Sequence, residues 1–194
     1  MIDSSPWLAA LPPPLRPLAW RAHPLDGKLL LFERERGLNV LLEGPETAVF
    51  VRQAPRSLLI AVTNACNLAC PFCYRDQSLA SAWRAETLLA FCREAAEWGV
   101  LEAAFGGGEP LVFPGWARLI CQLHDETPLA VSFTTNGTLL SASFLREIAG
   151  RYGQIRLSLY DDNGWPDSLR LLARSGARFG VNWLITPAGL PELA

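Results

Sequence analysis

The stretch Ser57-Leu58-Leu59-Ile60-Ala61-Val62-Thr63-Asn64-Ala65-Cys66-Asn67-Leu68-Ala69-Cys70-Pro71-Phe72-Cys73 decides how this chain is read. Residues 58–62 are a continuous apolar run, which suits a strand buried on both faces. Directly after it, three cysteines fall within eight residues. Three thiolates on one tight loop can converge on one soft metal centre. They also repel each other, so their clustering needs a cause. The remaining two cysteines, Cys92 and Cys121, sit inside helical patterns and read as packing thiols. An odd number of cysteines, behind an N-terminus with no basic start and no small-residue cleavage site, is not a disulfide framework.

Downstream, strands and helices alternate. A helix is expected over 86–98, stopped by Gly99, then a strand over 101–105. Pro114 opens a second helix carrying Trp116, Leu119, Ile120 and Leu123, and 129–134 is the next strand. Ser141 or Ser143 caps a third helix through Leu145 and Ile148. A strand over 155–160, a helix with Pro166 in its first turn that ends near Gly176, and a strand over 179–185 complete the pattern. Alternation of this kind implies an α/β fold with a parallel sheet and helices outside it. An open doubly wound sheet and a (β/α) barrel both fit. Either places function at the carboxyl ends of the strands. Those ends read Thr63-Asn64-Ala65-Cys66, Gly106-Gly107-Gly108-Glu109-Pro110, Thr135-Asn136-Gly137 and Asp161-Asp162-Asn163.

Upstream, residues 1–26 are rich in Pro, Leu and Trp and read as an irregular arm. Residues 28–33 and 38–42 form a hairpin about Arg36-Gly37, and 49–51 is a candidate third strand. The division expected is an N-terminal arm and β-hairpin over 1–55 and a core over 56–194. Of 194 residues, 50% are hydrophobic, so bulk disorder is excluded. With 17 Lys and Arg against 19 Asp and Glu, there is no basic excess for a nucleic-acid backbone. No run reaches the roughly 18 apolar residues of a membrane helix, and a cytoplasmic enzyme domain is the expectation.

The cysteine cluster admits four readings. One is an iron–sulfur cube held by three ligands, with one iron open. One is zinc, for which Cys66, Cys70 and Cys73 supply three of four ligands and no fourth lies at a zinc spacing. One is a dithiol pair, Cys70-Pro71-Phe72-Cys73, and the last is coincidence. Beyond spacing, Cys66-x3-Cys70-x2-Cys73 with Phe72 resembles the signature of the radical S-adenosylmethionine (SAM) enzymes. Tyr74 and Arg75 are also common there, and the glycine run with Glu109-Pro110 and Thr135-Asn136-Gly137 resemble the family's later motifs.

That resemblance spans about residues 56–185. It implies a TIM-like (β/α)6 barrel, of which about five βα units are present here. It implies a [4Fe–4S] cluster on Cys66, Cys70 and Cys73, and SAM chelating the open iron. Phe72 would pack beside the cluster, and Gly106, Gly107, Gly108 and Glu109 would meet the SAM ammonium. Asn136 and Ser158 are assigned to the ribose or the methionine carboxylate. The rival reading of the glycine run as a phosphate loop fails, since no Lys-Ser/Thr follows and Glu109 would repel phosphate. Asn182, Asp161 and Asp162 lie at strand ends with weaker claims, and His124 reads as a surface residue. The implied function is oxidoreductase chemistry: reductive cleavage of SAM to a 5′-deoxyadenosyl radical that abstracts hydrogen from a substrate the sequence does not name. A peptide or protein is the class suggested by the N-terminal β arm, with a flavodoxin- or ferredoxin-type reductant. A non-catalytic iron–sulfur or zinc module and a thiol oxidoreductase are the alternatives. The family barrel has six strands, so a fragment, a shortened barrel or a barrel completed by a partner is expected.

Overall fold

The computed structural model describes residues 2–160 and 163–184. Strands β1 (Trp20–Leu25), β2 (Lys28–Glu33) and β3 (Leu38–Glu43) form an antiparallel sheet in that order. Strands β4 (Ser57–Thr63), β5 (Glu102–Gly107), β6 (Ala130–Thr135), β7 (Ile155–Leu159) and β8 (Phe179–Trp183) form a parallel sheet, also in sequence order. Helices α1 (Ala85–Trp98), α2 (Trp116–Glu126), α3 (Ala142–Glu147) and α4 (Trp165–Arg174) connect them. A doubly wound sheet reverses its strand order at a switch point. This sheet never reverses, so it is an arc of a TIM-like barrel.

The two faces of the arc differ in composition. Ile60, Val62, Phe105, Phe133 and Leu157 are buried toward the helices. They meet Leu88 and Cys92 of α1 and Trp116, Leu119 and Ile120 of α2. Trp116 stands edge-on to Phe105 and Phe133, with ring centroids 5.3 and 5.8 Å away. Complete barrels fill their interior with bulky branched side chains. Here the inner face is small and polar at its upper levels: Ala61 is level with Gly106, Ala104 with Ser132, and Ser158 with Asn182. Leu59, level with Ala104, is larger but is 88% exposed on that face. An inner face without bulk leaves room for a ligand. Cys92 is buried among apolar neighbours, which pushes its thiol up to about 12.

The N-terminal sheet covers the opposite pole from the cysteine loop. Strand β2 is buried on both faces, which explains its unbroken apolar run. Leu29 and Leu31 pack on Leu11 and Trp20, while Leu30 and Phe32 pack on Leu101 and Ala130 at the base of the barrel. Arg21 donates to the carbonyls of Val100 and Pro128, and Arg34 to those of His124 and Thr127. The arm therefore has a small core of its own and is stitched onto the barrel.

Three sequence expectations need correction here. The third strand is Trp20–Leu25, not 49–51, where Val49 and Val51 are 79% and 69% exposed. Pro24 hid β1, but β1 is an edge strand, where a missing N–H is tolerated. Second, His124 is half-buried beneath the β2–β3 turn, its Nε2 3.5 Å from Glu35. Third, Ser141 rather than Ser143 caps α3, accepting from the Phe144 N–H at 3.1 Å.

Candidate functional site

The carboxyl end of β4 runs straight into the cysteine loop. Thr63 Oγ1 accepts from the Ala65 N–H at 3.0 Å and turns the chain. The Cys73 N–H bonds the Cys70 carbonyl at 3.0 Å, which closes the C-x-x-C turn. Cys66 Sγ receives the Leu68 N–H at 3.4 Å and the Asn136 amide at 3.8 Å. Cys66 and Cys70 are half-buried and Cys73 is exposed. Burial, with Cys66 and Cys73 alongside, raises the Cys70 thiol above its ordinary value. A redox dithiol needs the reverse shift.

The glycine run locks the loop in place. Gly108 N–H bonds the Thr63 carbonyl at 2.7 Å, and Glu109 N–H the Ala65 carbonyl at 2.9 Å. A Cβ on Gly108 would lie 2.6 Å from the Ala65 carbonyl carbon and closer still to its oxygen. A Cβ on Gly107, whose φ is +114°, would lie 2.5 Å from the Thr63 oxygen. These two glycines permit close approach to the cysteine loop. Gly106 has nothing within 4 Å of a Cβ and faces open space.

Glu109 is 1% exposed. Its carboxylate accepts from the Leu111 N–H at 3.1 Å, the Thr135 hydroxyl at 2.8 Å and the Asn136 N–H at 2.8 Å. Burial raises its pKa despite these three donors, which pull it down. The end of β5 is thereby fastened to the end of β6. Asn136 continues the network: its amide donates to Asn67 Oδ1 at 3.0 Å, and its carbonyl accepts from Asn163 at 2.8 Å. Asn163 also donates to the Ser158 carbonyl at 2.8 Å, which ties in β7. Four successive strand ends are joined by buried hydrogen bonds.

One cavity of about 600 Å³ gathers the predicted residues. Cys66, Cys70, Cys73 and Phe72 line one side, Gly106, Gly107, Gly108 and Glu109 the next, and Asn136 and Ser158 the third. Phe72 is 48% exposed and meets Tyr160 edge-on, with ring centroids 4.9 Å apart. Asn182 is exposed, and Asp161 and Asp162 lie outside the described residues. Asn67, Thr135, Asn163, Tyr160 and Arg75 were not singled out as site residues in the sequence. Asn163 showed only as part of an ordinary turn, and Thr135 was quoted within the Thr135-Asn136-Gly137 motif without a role of its own. Arg75 and Tyr160 also line the cavity.

The donor set fits a cluster better than a single ion. Among the described residues, no three His, Cys, Asp or Glu side chains are gathered as one ion requires. Zinc needs its sulfurs about 2.3 Å from one point. A cube presents separate irons to separate thiolates, and three cysteines around one cavity suit that wider spacing. Glu109 leaves one acceptor position of its four free for a cation.

Among known proteins, the chain is 33% identical over 122 residues to a probable GTP 3′,8-cyclase of Methanothermobacter marburgensis, covering 61% of this chain and 39% of that protein. It is 32% identical over 146 residues to the PqqA peptide cyclase of Granulibacter bethesdensis, covering 72% and 38%. The chain thus spans about two fifths of these relatives. Streptococcus suis SuiB bound to S-adenosylmethionine shares the fold at a TM-score of 0.61 and 22% identity, over 73% of this chain and 36% of that one. A second SuiB structure matches 90% of this chain and 57% of its own at a TM-score of 0.69 and 15% identity. Members of the family that these proteins represent use a [4Fe–4S] cluster and SAM. Residues 60–181, which carry all three motifs, match that family, and the chain belongs to the radical SAM superfamily.

Proposed function

We propose that this chain binds a [4Fe–4S] cluster through Cys66, Cys70 and Cys73 and SAM through the facing strand ends, and modifies a peptide by radical chemistry. The observation that carries the reading is the single cavity shared by the three cysteines and by Gly106, Glu109, Asn136 and Ser158. When bound, the cluster and SAM supply reductive carbon–sulfur cleavage and a 5′-deoxyadenosyl radical that takes hydrogen from the substrate. A one-electron donor of the flavodoxin or ferredoxin class would feed the cluster.

The chain's residues bind, orient and shield. Glu109 offers its remaining acceptor position to the SAM ammonium, and a cation there holds the buried carboxylate ionised. Gly106 leaves the floor open beneath it. Ser158 and Asn136 present polar groups to the ribose or carboxylate. The Leu68 N–H and the Asn136 amide, both on Cys66 Sγ, would tune the potential of a cluster held there. Phe72 and Tyr160 close one wall against water.

The peptide substrate is supported by the likeness to the PqqA peptide cyclase and to SuiB, one structure of which is bound to the precursor peptide SuiA. A nucleotide substrate is the second reading, favoured by the likeness to GTP 3′,8-cyclases. Anaerobic reconstitution followed by electron paramagnetic resonance (EPR) tests the core proposal. A reduced cubane signal that changes on adding SAM is expected. A cubane signal indifferent to SAM refutes the assigned SAM pocket. A folded chain that takes up no cluster refutes the whole reading. Equilibrium dialysis of the loaded chain against GTP separates the two substrate classes, with no retention expected for the peptide reading.

A further inference from the structure

The cysteine loop is clasped at its base by Asn64 and Arg75, which flank the three cysteines. Arg75 Nη2 donates to Asn64 Oδ1. Asn64 is itself pinned, its amide donating to the Leu79 and Ala80 carbonyls at 3.3 Å each and its N–H to Ser81 Oγ at 2.8 Å. Arg75 is therefore held half-buried in the cavity wall beside the cysteines. Its Nε is buried with no hydrogen-bond partner, and no carboxylate among the described residues pairs with it.

The cavity's other charged groups are differently placed. Arg56 sits 3.4 Å from Glu102, and Arg156 is exposed and reaches Gln154. Glu109 is held by neutral donors on another wall. Among the described residues, Arg75 is thus a positive charge at the cavity whose side-chain partner is a neutral amide. A half-buried cation with an unfilled donor is costly unless an anion arrives. Three thiolates around a cube of charge +2 leave a net charge of −1, and reduction adds another negative charge.

We infer that Arg75 is a positioning residue whose charge offsets that of the reduced cluster and eases its one-electron reduction. This rests on the proposed function above, because it requires the cluster on Cys66, Cys70 and Cys73. The structure also supports a rival role, in which Arg75 merely clasps the loop through Asn64. Charge and clasp separate by substitution. Arg75→Gln keeps a donor and loses the charge, Arg75→Lys keeps the charge, and Asn64→Ala removes the clasp and leaves the charge.

Each variant is reconstituted anaerobically, assayed for iron and sulfide, and titrated potentiometrically by EPR. The R75Q chain is expected to shift its reduction equilibrium about tenfold toward the oxidised cluster, which is about 59 mV for one electron. The R75K and N64A chains are expected to stay within twofold of the wild type. Equal shifts in R75Q and R75K overturn the inference in favour of shape over charge. An N64A shift as large as that of R75Q overturns it in favour of the clasp, and a wild-type potential in R75Q overturns it outright. Should R75Q fail to load a cluster, R75K decides: a wild-type potential supports the inference and a shifted one overturns it. A wild-type chain that loads no cluster refutes the proposed function and this inference with it, whereas a loaded cluster indifferent to Arg75 refutes the inference alone.

Discussion

Gly108→Ala and Gly106→Ala are chemically the same change two residues apart, yet they should fail in opposite ways. At Gly108 the new methyl is driven into the Ala65 carbonyl and lies 2.9 Å from the Asn64 carbonyl carbon. Both obstacles are backbone and cannot rotate aside. Relief requires that the Gly108–Thr63 and Glu109–Ala65 hydrogen bonds open. Two such bonds contribute about 1 kcal/mol each, and overpacking adds about 1–3 kcal/mol, so the loss is about 3–5 kcal/mol. With a urea slope of about 2 kcal/mol/M, the unfolding midpoint falls by about 2 M. At Gly106 the methyl meets nothing within 4 Å, and the backbone needs no positive φ. Stability there holds or rises by up to about 1 kcal/mol, as the unfolded chain loses freedom.

Ligand binding reverses the ranking of cause. The Gly106 methyl projects from the inner face into the cavity, so SAM affinity should fall at least tenfold in a chain of wild-type stability. The assay is urea unfolding followed by tryptophan fluorescence, paired with calorimetric titration of the reconstituted protein with SAM. A Gly108→Ala chain with the wild-type midpoint and wild-type cluster uptake refutes the argument. So does a Gly106→Ala chain that loses as much stability as Gly108→Ala.

Cys66→Ala, Cys70→Ala and Cys73→Ala should each abolish the iron–sulfide chromophore, and full retention in any one removes that residue from the ligand set. The folded chain binds the Glu109 proton more tightly than the unfolded chain, because burial raises the carboxyl's pKa. Its stabilising effect is complete below the ordinary value of 4.5 and is lost as pH rises through the raised value. Urea midpoints of the cluster-free protein should therefore decline over that window, and Glu109→Gln should flatten the decline; an unchanged slope would count against it. Asn163→Ala leaves the Asn136 and Ser158 carbonyls without their shared donor, a loss of about 1–3 kcal/mol readable as a lower urea midpoint. A double-mutant cycle on Phe72 and Tyr160 should give a coupling of about 0.5–1.5 kcal/mol, and zero coupling would discard the closed aromatic wall.

The barrel was legible because its physics is local. An apolar run such as 58–62 has to be a strand covered on both sides, and periodic Trp116, Leu119, Ile120 and Leu123 have to be a helix face. Periodicity alone did not tell whether the sheet doubled back or curled onward, since both arrangements bury the same residues. The resemblance of the motifs implied the barrel, and the pairing of β4 through β8 in sequence order bears it out. Strand β1 was lost for a related reason: Pro24 argues against a strand anywhere except at an edge, and edge position is a tertiary fact.

The site divides along the same line. Cysteines and glycines announce themselves by type, and Cys66, Cys70, Cys73, Gly106, Gly107 and Gly108 reached the cavity wall, whereas Gly137 does not line it. What the residue types concealed is the division of labour among them. Gly106, Gly107 and Gly108 look alike in sequence, yet two face the chain and one faces the ligand space, a distinction set by which backbone lies across from each. Glu109 and Asn136 read as groups waiting for SAM, yet most of their capacity is spent holding β5, β6 and the cysteine loop together. Such residues cannot be assigned to binding or to architecture alone. A substitution at Glu109 should move SAM affinity and fold stability together, whereas one at Gly106 should move affinity alone. The two measurements on those two residues separate a pocket built from dedicated ligands from one whose ligands are also its frame.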